Sequence, residues 1–384
     1  MNIIYPVPEP LLDTKARFIQ IVNTSFAVAM AGQSVKLIGG YQMGIDGGDI
    51  NRFFNILPNP NLQYKFLPVL RKNFWLVPFS SNKPYELTLL SYLILNRARG
   101  VLFVRHPKLA VFLLKTKALF NMPVIFEAHE IFHYSAKNKK TAHILKAMEA
   151  FIYERSDGII AISSFLRDEI REIFAVYKKP ISVITNAVKD EQIGEVSISQ
   201  KLTGEYLFYC GSFYPWKGVD IAIRALRYLP KERLLIVGGG KRAEELNRLA
   251  REEGVNHRVT FTGMVAQRDV AAYMSKAKVA LIPNLPHSPS MHSSPLKMFE
   301  YMAAEVPIVA SNLPGISEVL ENQESAVLFE AGSVDGLVSA LSLVLNNPAY
   351  ATSIAKNAKI LAQRYTYSQR AQLIVHFIKE VINK

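Results

Sequence analysis

The feature that most limits the fold of this chain is a repeated alternation of short apolar runs with amphipathic helical stretches. It is clearest in the second half. YLFYCGSFYPWKGVDIAIRAL reads as a strand, a glycine turn and a helix beginning near Gly218. RLLIVGGGKRAEELNRLAREEG repeats the unit, HRVTFTGMV supplies the next strand and turn, and DVAAYMSKAKVALIPN adds a helix and a strand. Such alternation specifies an α/β fold with a doubly wound parallel sheet. The first half carries the same rhythm, with strands expected over residues 34–38, 100–104, 123–128, 158–163 and 182–185. A chain of 384 residues exceeds one ordinary core and suits two of about 170–190 residues each.

One segment concentrates the chemistry. PNLPHSPSMHSSPLKMFEYMAAEVPIVASNLPGISEV, residues 283–319, predicts a polar loop ending at Pro295 and a helix over 296–304. A buried strand over 307–310 follows, then a turn at Pro314 and Gly315. A helix N-terminus presents unpaired N–H groups and the positive end of its dipole, which suits a diphosphate. Lys297 in the first turn can meet phosphate, and Glu300, one turn on, can accept hydrogen bonds from a ribose. The run Gly238 to Gly240 lacks the GxGxxG spacing of a dinucleotide fingerprint and reads as a tight turn that lets a nucleotide approach. A nicotinamide-dependent oxidoreductase is correspondingly disfavoured.

These motifs together resemble the retaining glycosyltransferases of family GT4, and SSPLKMFEYMAA resembles one subgroup of them. The resemblance implies a GT-B fold: two doubly wound Rossmann-like domains facing across a cleft, with closure about a hinge excluding water. The N-terminal acceptor-binding domain would span residues 1–188, braced by a returning helix at about 366–384. The donor-binding domain would span 189–365. In the family two glutamates stand seven residues apart; Glu300 matches the second, and His292 stands at the first. A Gly-Arg pair followed by Lys-Gly grips the donor diphosphate in the family. Here Gly211, Lys217 and Gly218 match, Ser212 replaces the arginine, and Lys297 is the candidate to replace its charge.

The same resemblance places Gly238 and the backbone of Met264 and Val265 near the base, Ser293, Ser294 and Leu296 at the helix entrance, and Glu300 on the ribose. His129, in PVIFEAHEIFH, would touch the transferred sugar. The implied catalytic set is therefore His129, Lys217, Lys297 and Glu300, with a donor phosphate oxygen as base and neither metal nor cofactor required. Ser163 and Ser164 are read as helix caps, Asn186 as the crossover turn, and His133 and His143 as surface or helix residues.

Composition narrows the setting. Hydrophobic content of 49% with 20% charged residues describes a globular protein. A single cysteine, Cys210, allows no intrachain disulfide and fits a reducing compartment; it reads as a small buried hydrophobe. No signal peptide and no apolar stretch of the ~20 residues needed to span a bilayer is recognised, so a cytoplasmic location is expected. Charge is uneven: residues 51–146 hold 15 Lys and Arg against three acids, +12 of the formal +13. Arg71 and Lys72 lie among Phe66, Phe74, Trp75 and Phe79, a mixture suited to an anionic membrane surface. Nucleic acid is disfavoured because no recognised binding module accompanies the patch.

The sequence thus predicts a glycosyltransferase that moves a sugar from a UDP- or GDP-sugar to a glycan or lipid-linked acceptor at the cytoplasmic membrane face. The alternative is an inactive GT-B protein that binds a glycan or partner, for which Ser212 and His292 speak.

Overall fold

Apolar runs become parallel strands in the computed structural model, which describes residues 1–70, 80–194, 205–265 and 267–383. The chain divides into two units, Met1–Ile162 with Leu166–Thr185 and Tyr367–Lys384, and Ser163–Phe165 with Asn186–Thr366.

Among the described residues the first unit contains β1 (Asn2–Pro6), β2 (Ser34–Gly40), β3 (Leu62–Leu67), β4 (Val101–Val104), β5 (Val124–Ala128), β6 (Gly158–Ala161) and β7 (Ile181–Val183). They form one sheet in the order β3-β2-β1-β4-β5-β6-β7, parallel throughout. Strands β4, β5 and β6 are buried along their whole length, as expected of strands covered by helices on both faces. The strands expected in this half match to within two residues at either end. Strand β3 had no signal of its own: LQYKFL interleaves polar residues because it lies at the sheet edge, where its middle is half-exposed.

The second unit contains β8 (Tyr206–Cys210), β9 (Leu234–Val237), β10 (Val259–Gly263), β11 (Ala277–Ile282), β12 (Ile308–Ser311) and β13 (Val327–Phe329). Their order is β10-β9-β8-β11-β12-β13, again parallel. Two doubly wound, Rossmann-like sheets make this a GT-B fold. The helix Leu296–Ala303 covers one face, with Met298, Phe299, Tyr301 and Met302 fully buried against Phe208, Ala280 and Ile308. Where a turn was expected at Pro314 and Gly315, the chain makes a one-turn helix, Pro314–Ser317, because proline is preorganised for a first helical position. The polar loop before Pro295 also contains a short helix, Ser288–His292, that its prolines and serines did not announce.

The helix Tyr367–Ile382 belongs to the first unit, and Arg370 shows why it is held there. Its guanidinium is buried and donates to Glu127 Oε1, to Thr24 Oγ1 at 3.2 Å, to the Ile184 carbonyl at 2.9 Å and to the Thr185 carbonyl. Glu127, on β5, is 1% exposed and also accepts from Tyr5 Oη at 3.2 Å and Gln20 Nε2 at 3.0 Å. Burial alone would favour its neutral form. His129, then Arg370 and Arg105, outweigh that term and hold the carboxyl well below the usual range. The linkage sign follows: a depressed native pKa adds stability above the ordinary carboxylate pKa and loses it as the pH falls through the native value.

Arg370→Ala leaves this carboxylate buried without its strongest partner and should lower stability by about 3–5 kcal/mol, read as a shift of the urea midpoint at pH 7. A loss below about 1 kcal/mol would remove the pair as the tie between helix and sheet.

Candidate active site

In each sheet the strand order reverses once, and a crevice opens beyond the carboxyl ends of the two strands at the reversal. In the second unit those strands are β8 and β11. Two glycines bring the loops there into contact. Gly218 has φ +63°, and a Cβ on it would lie 1.7 Å from the Pro283 carbonyl oxygen. Gly238 has φ +130°, and its Cβ would lie 2.0 Å from the Gly211 carbonyl oxygen. Only glycine permits either approach. The Trp216 carbonyl then accepts from Leu285 N at 2.9 Å and Ser290 Oγ at 3.1 Å, strapping the loop that carries Lys217 to the one after β11.

The helix Leu296–Ala303 starts at Pro295 without a side-chain cap, so its first turn relies on other acceptors. Tyr301 pins it to β8, its hydroxyl accepting from Cys210 N at 2.9 Å. Lys297 is 9% exposed, and its Nζ has no hydrogen-bond partner among the described residues. That ammonium lies 3.8 Å above the Tyr209 ring, and a Cβ on Gly211 would stand 3.0 Å from it. Burial, and next the charge of Lys217, push its pKa well below the usual lysine value, against the opposing pull of Cys210 and Glu300. Burial likewise lowers Lys217 to about 8. Two desolvated ammonium groups that repel each other form an arrangement an anion would stabilise. Cys210, whose thiol burial and Glu300 push up to about 12 against Lys297, is inert at neutral pH.

The remaining positions divide. Ser212 accepts through its carbonyl from Tyr209 Oη at 2.8 Å, and Glu300 is half-buried on the helix that carries Lys297. Ser293 Oγ donates to the Ser290 carbonyl at 2.9 Å. Ser294 is fixed by Asn186, whose N–H donates to Ser294 Oγ at 3.1 Å and whose Nδ2 donates to its carbonyl at 2.5 Å. Leu296 is half-buried; Met264 is largely exposed, and Val265 packs on the core. His292 is 1% exposed and stacks on Phe165 at 5.7 Å, so it serves the packing of this unit. The Ser163 and Ser164 hydroxyls, which stand at the start of the helix Ser164–Phe174, donate to the His292 carbonyl at 3.0 Å and to Glu318 Oε2, which also accepts from Ser164 N at 2.9 Å.

In the first unit the reversal lies between β1 and β4, with β5 next to β4. His129, just beyond β5, has Nε2 3.1 Å from Glu127 Oε2. Burial and then Arg105 lower its pKa to about 4, against Glu127. The ring is therefore neutral at pH 7, and its Nε2 is buried without a hydrogen-bond partner among the described residues. Glu130 has its pKa raised by burial and Glu149, with Arg105 opposing. His133 lies half-buried in the short 3-10 helix Phe132–Ser135, its Nδ1 2.7 Å from the buried Glu149 carboxylate. His143 is exposed on the helix Lys139–Arg155. Tyr5, Gln20, Arg105 and Arg370 had drawn no functional reading, because their signal is spread from residue 5 to residue 370 and exists only once the sheet is formed.

The expected aromatic and basic patch at Arg71, Lys72, Phe74, Trp75 and Phe79 lies outside the described residues, while Phe66 is half-buried in β3. Lys137, Lys139, Lys140 and Lys146 are exposed around Ile144, itself 58% exposed. Among the described residues no helix is long and apolar enough to cross a membrane.

Comparison with known proteins gives two consecutive family matches, Glycosyltransferase Family 4 over residues 57–192 and Glycosyl transferases group 1 over residues 194–361. Glycogen synthase of Mycobacterium tuberculosis is 28% identical over 265 residues, 67% of this chain; the chain spans only 61% of that relative's length. A GDP-mannose-dependent alpha-(1-6)-phosphatidylinositol monomannoside mannosyltransferase of the same organism is 34% identical over 137 residues, 34% of this chain and 36% of the relative. Among solved structures, Anabaena HepE in complex with UDP-glucose superposes with a TM-score of 0.73 at 16% identity, covering 99% of this chain and 100% of the other.

A nucleoside diphosphate bound at Lys217 and Lys297 should take up protons. With Lys217 near 8 when free, UDP affinity is expected to fall by about tenfold between pH 7 and pH 9, with calorimetric proton uptake across buffers of different ionisation enthalpy. Affinity that holds constant over this range would exclude these lysines as its binding groups.

Proposed function

Because the chain belongs to the glycosyltransferases, with a Family 4 domain followed by a group 1 domain, we propose that it transfers a sugar from a UDP- or GDP-sugar to a glycan or lipid-linked acceptor, with retention of anomeric configuration. The observation that carries this reading is Lys297: a buried ammonium with no hydrogen-bond partner among the described residues, within reach of the charge of a second desolvated lysine and at the start of a helix without a side-chain cap. A diphosphate offers the charge that this arrangement lacks.

In this reading Lys217, Lys297 and the N–H groups of the first helical turn hold the donor diphosphate. Their fixed positive potential stabilises the negative charge that grows on it as the glycosidic bond breaks. Gly211, Ser212, Gly238, Ser293, Ser294 and Leu296 line that approach, the backbone of Met264 and Val265 meets the base, and Glu300 accepts from the ribose. His129 hydrogen-bonds a hydroxyl of the transferred sugar. The acceptor oxygen bonds to the anomeric carbon on the face the diphosphate leaves, and a donor phosphate oxygen takes its proton.

An acceptor at the inner membrane face is supported by the +12 of residues 51–146 and by the exposed lysines around Ile144. A second reading, a GT-B protein that binds glycans without transfer, is favoured by His292, whose burial against Phe165 puts a packing residue where the family has a glutamate. The presence of Lys217, Lys297 and Glu300 together weighs against it.

Thermal-shift titration with UDP, GDP and ADP should raise the melting temperature with one of them, through preferential binding to the native state. Lys297→Ala and Glu300→Ala should each abolish that shift while melting cooperatively. Absence of a shift with all three nucleotides would overturn the donor site and leave the binding-module reading in its place.

A further inference from the structure

The crevice of the first unit carries an arginine whose charge is not balanced. Arg105 immediately follows β4, at the point where the strand order reverses, which is where an open parallel sheet binds ligands. It is half-buried, and its guanidinium donates to Gln20 Oε1, a neutral acceptor, with no ion pair to any described residue within 4 Å. The carboxylates nearby are otherwise engaged. Glu127 takes Arg370 and lies beside His129. Glu9 takes Arg17, at 2.8 Å. Glu130 feels the charge of Arg105, yet no ion pair joins them.

Arg17 extends the feature. It lies one turn before Gln20 on the helix Ala16–Met30, and its charge, with that of Arg370, adds to burial in disfavouring the Arg105 cation, while Glu127 and then Tyr5 favour it. Its own Nε is buried without a hydrogen-bond partner among the described residues, although Nη2 holds Glu9. Three guanidinium groups therefore act on one another here, and Glu127 and Glu9 are paired with two of them. A partly desolvated arginine held by one amide oxygen is poorly compensated, and the planar fork of donors it retains matches a phosphate or a carboxylate.

We propose that Arg105, with Arg17 beside it, binds an anionic group, a phosphate or a carboxylate, carried by the acceptor. The site takes its place next to His129, whose field Arg105 already shapes. The word acceptor rests on the glycosyltransferase reading; anion binding at Arg105 does not. The same chemistry has two sources, a soluble acidic or phosphorylated sugar and the headgroup of an anionic lipid that carries the acceptor.

The test uses the full chain. Glucose, glucose 6-phosphate and glucuronate are titrated by calorimetry in the presence of saturating UDP, so that Lys217 and Lys297 are occupied; vesicles of phosphatidylglycerol and of phosphatidylcholine form a second arm. Glucose 6-phosphate, glucuronate or the phosphatidylglycerol vesicles should bind where glucose and phosphatidylcholine do not. Arg105→Gln should weaken that binding by about tenfold or more, while UDP affinity stays that of the wild type. A soluble ligand that binds places the anion on the sugar; binding by phosphatidylglycerol alone places it on the lipid. Arg17→Gln, which leaves the Gln20 contact in place, should give a smaller loss and serves if Arg105→Gln does not fold. The proposal falls if no anionic probe binds, if glucose binds as tightly as glucose 6-phosphate, or if neither substitution changes the affinity for anions. Should UDP itself fail to bind, the donor reading falls separately, and the anion titrations, run without nucleotide, still decide the role of Arg105.

Discussion

In a sheet whose strands all run one way, every strand delivers its outgoing loop to the same edge, and the two halves of the winding part company at one place along it. The chemistry of this protein follows from that constraint. Helices bury both faces of the sheets, so the interior strands are apolar along their length and the charged groups gather where they end. Glu127, His129 and Arg105 stand at the carboxyl edge of the first sheet, and Gly211, Lys217 and Pro283 at that of the second. The glycines that let loops touch at φ values closed to other residues convert this topological gap into a shaped one.

The two edges solve the problem of buried charge in opposite ways. In the first unit a fully buried carboxylate accepts from donors in three separate parts of the chain, with His129 beside it, and its charge is retained. In the second, two desolvated ammonium groups lie within reach of each other's charge, none of the described carboxylates is bonded to Lys297, and both are pushed toward neutrality. A matched charge rigidifies a fold, whereas a mismatched one raises the energy of the ligand-free protein and makes its affinity for an anion depend on pH. Arg105 lies between these limits, in contact with the matched network yet not neutralised by it.

Sequence reading served best where chemistry and local geometry coincide. The helix that begins at Leu296, the turn before Val219 and the strand leading to His129 were all legible, because each carries its own periodicity and its own punctuation. Strand β3 was not, since an edge strand does not need the continuous apolar run that marks a central one. Nor were the partners of Glu127: Tyr5, Gln20 and Arg370 are unremarkable in their own segments and acquire meaning from a parallel register that brings remote residues together. His292 shows the converse limit. Its place in a motif marked only a departure from the family's glutamate, and it is the stacked Phe165 ring that shows what the residue does there.

The return of the helix Tyr367–Ile382 to the first unit bears on how the protein is made. Glu127 emerges from the ribosome 243 residues before Arg370 does. Throughout that interval the nascent first unit holds a carboxylate destined for its interior without the cation that makes its burial tolerable, while the second unit, contiguous but for three residues, can complete its own sheet. Domain order in synthesis and domain order in folding therefore need not coincide: the unit begun first is the one finished last.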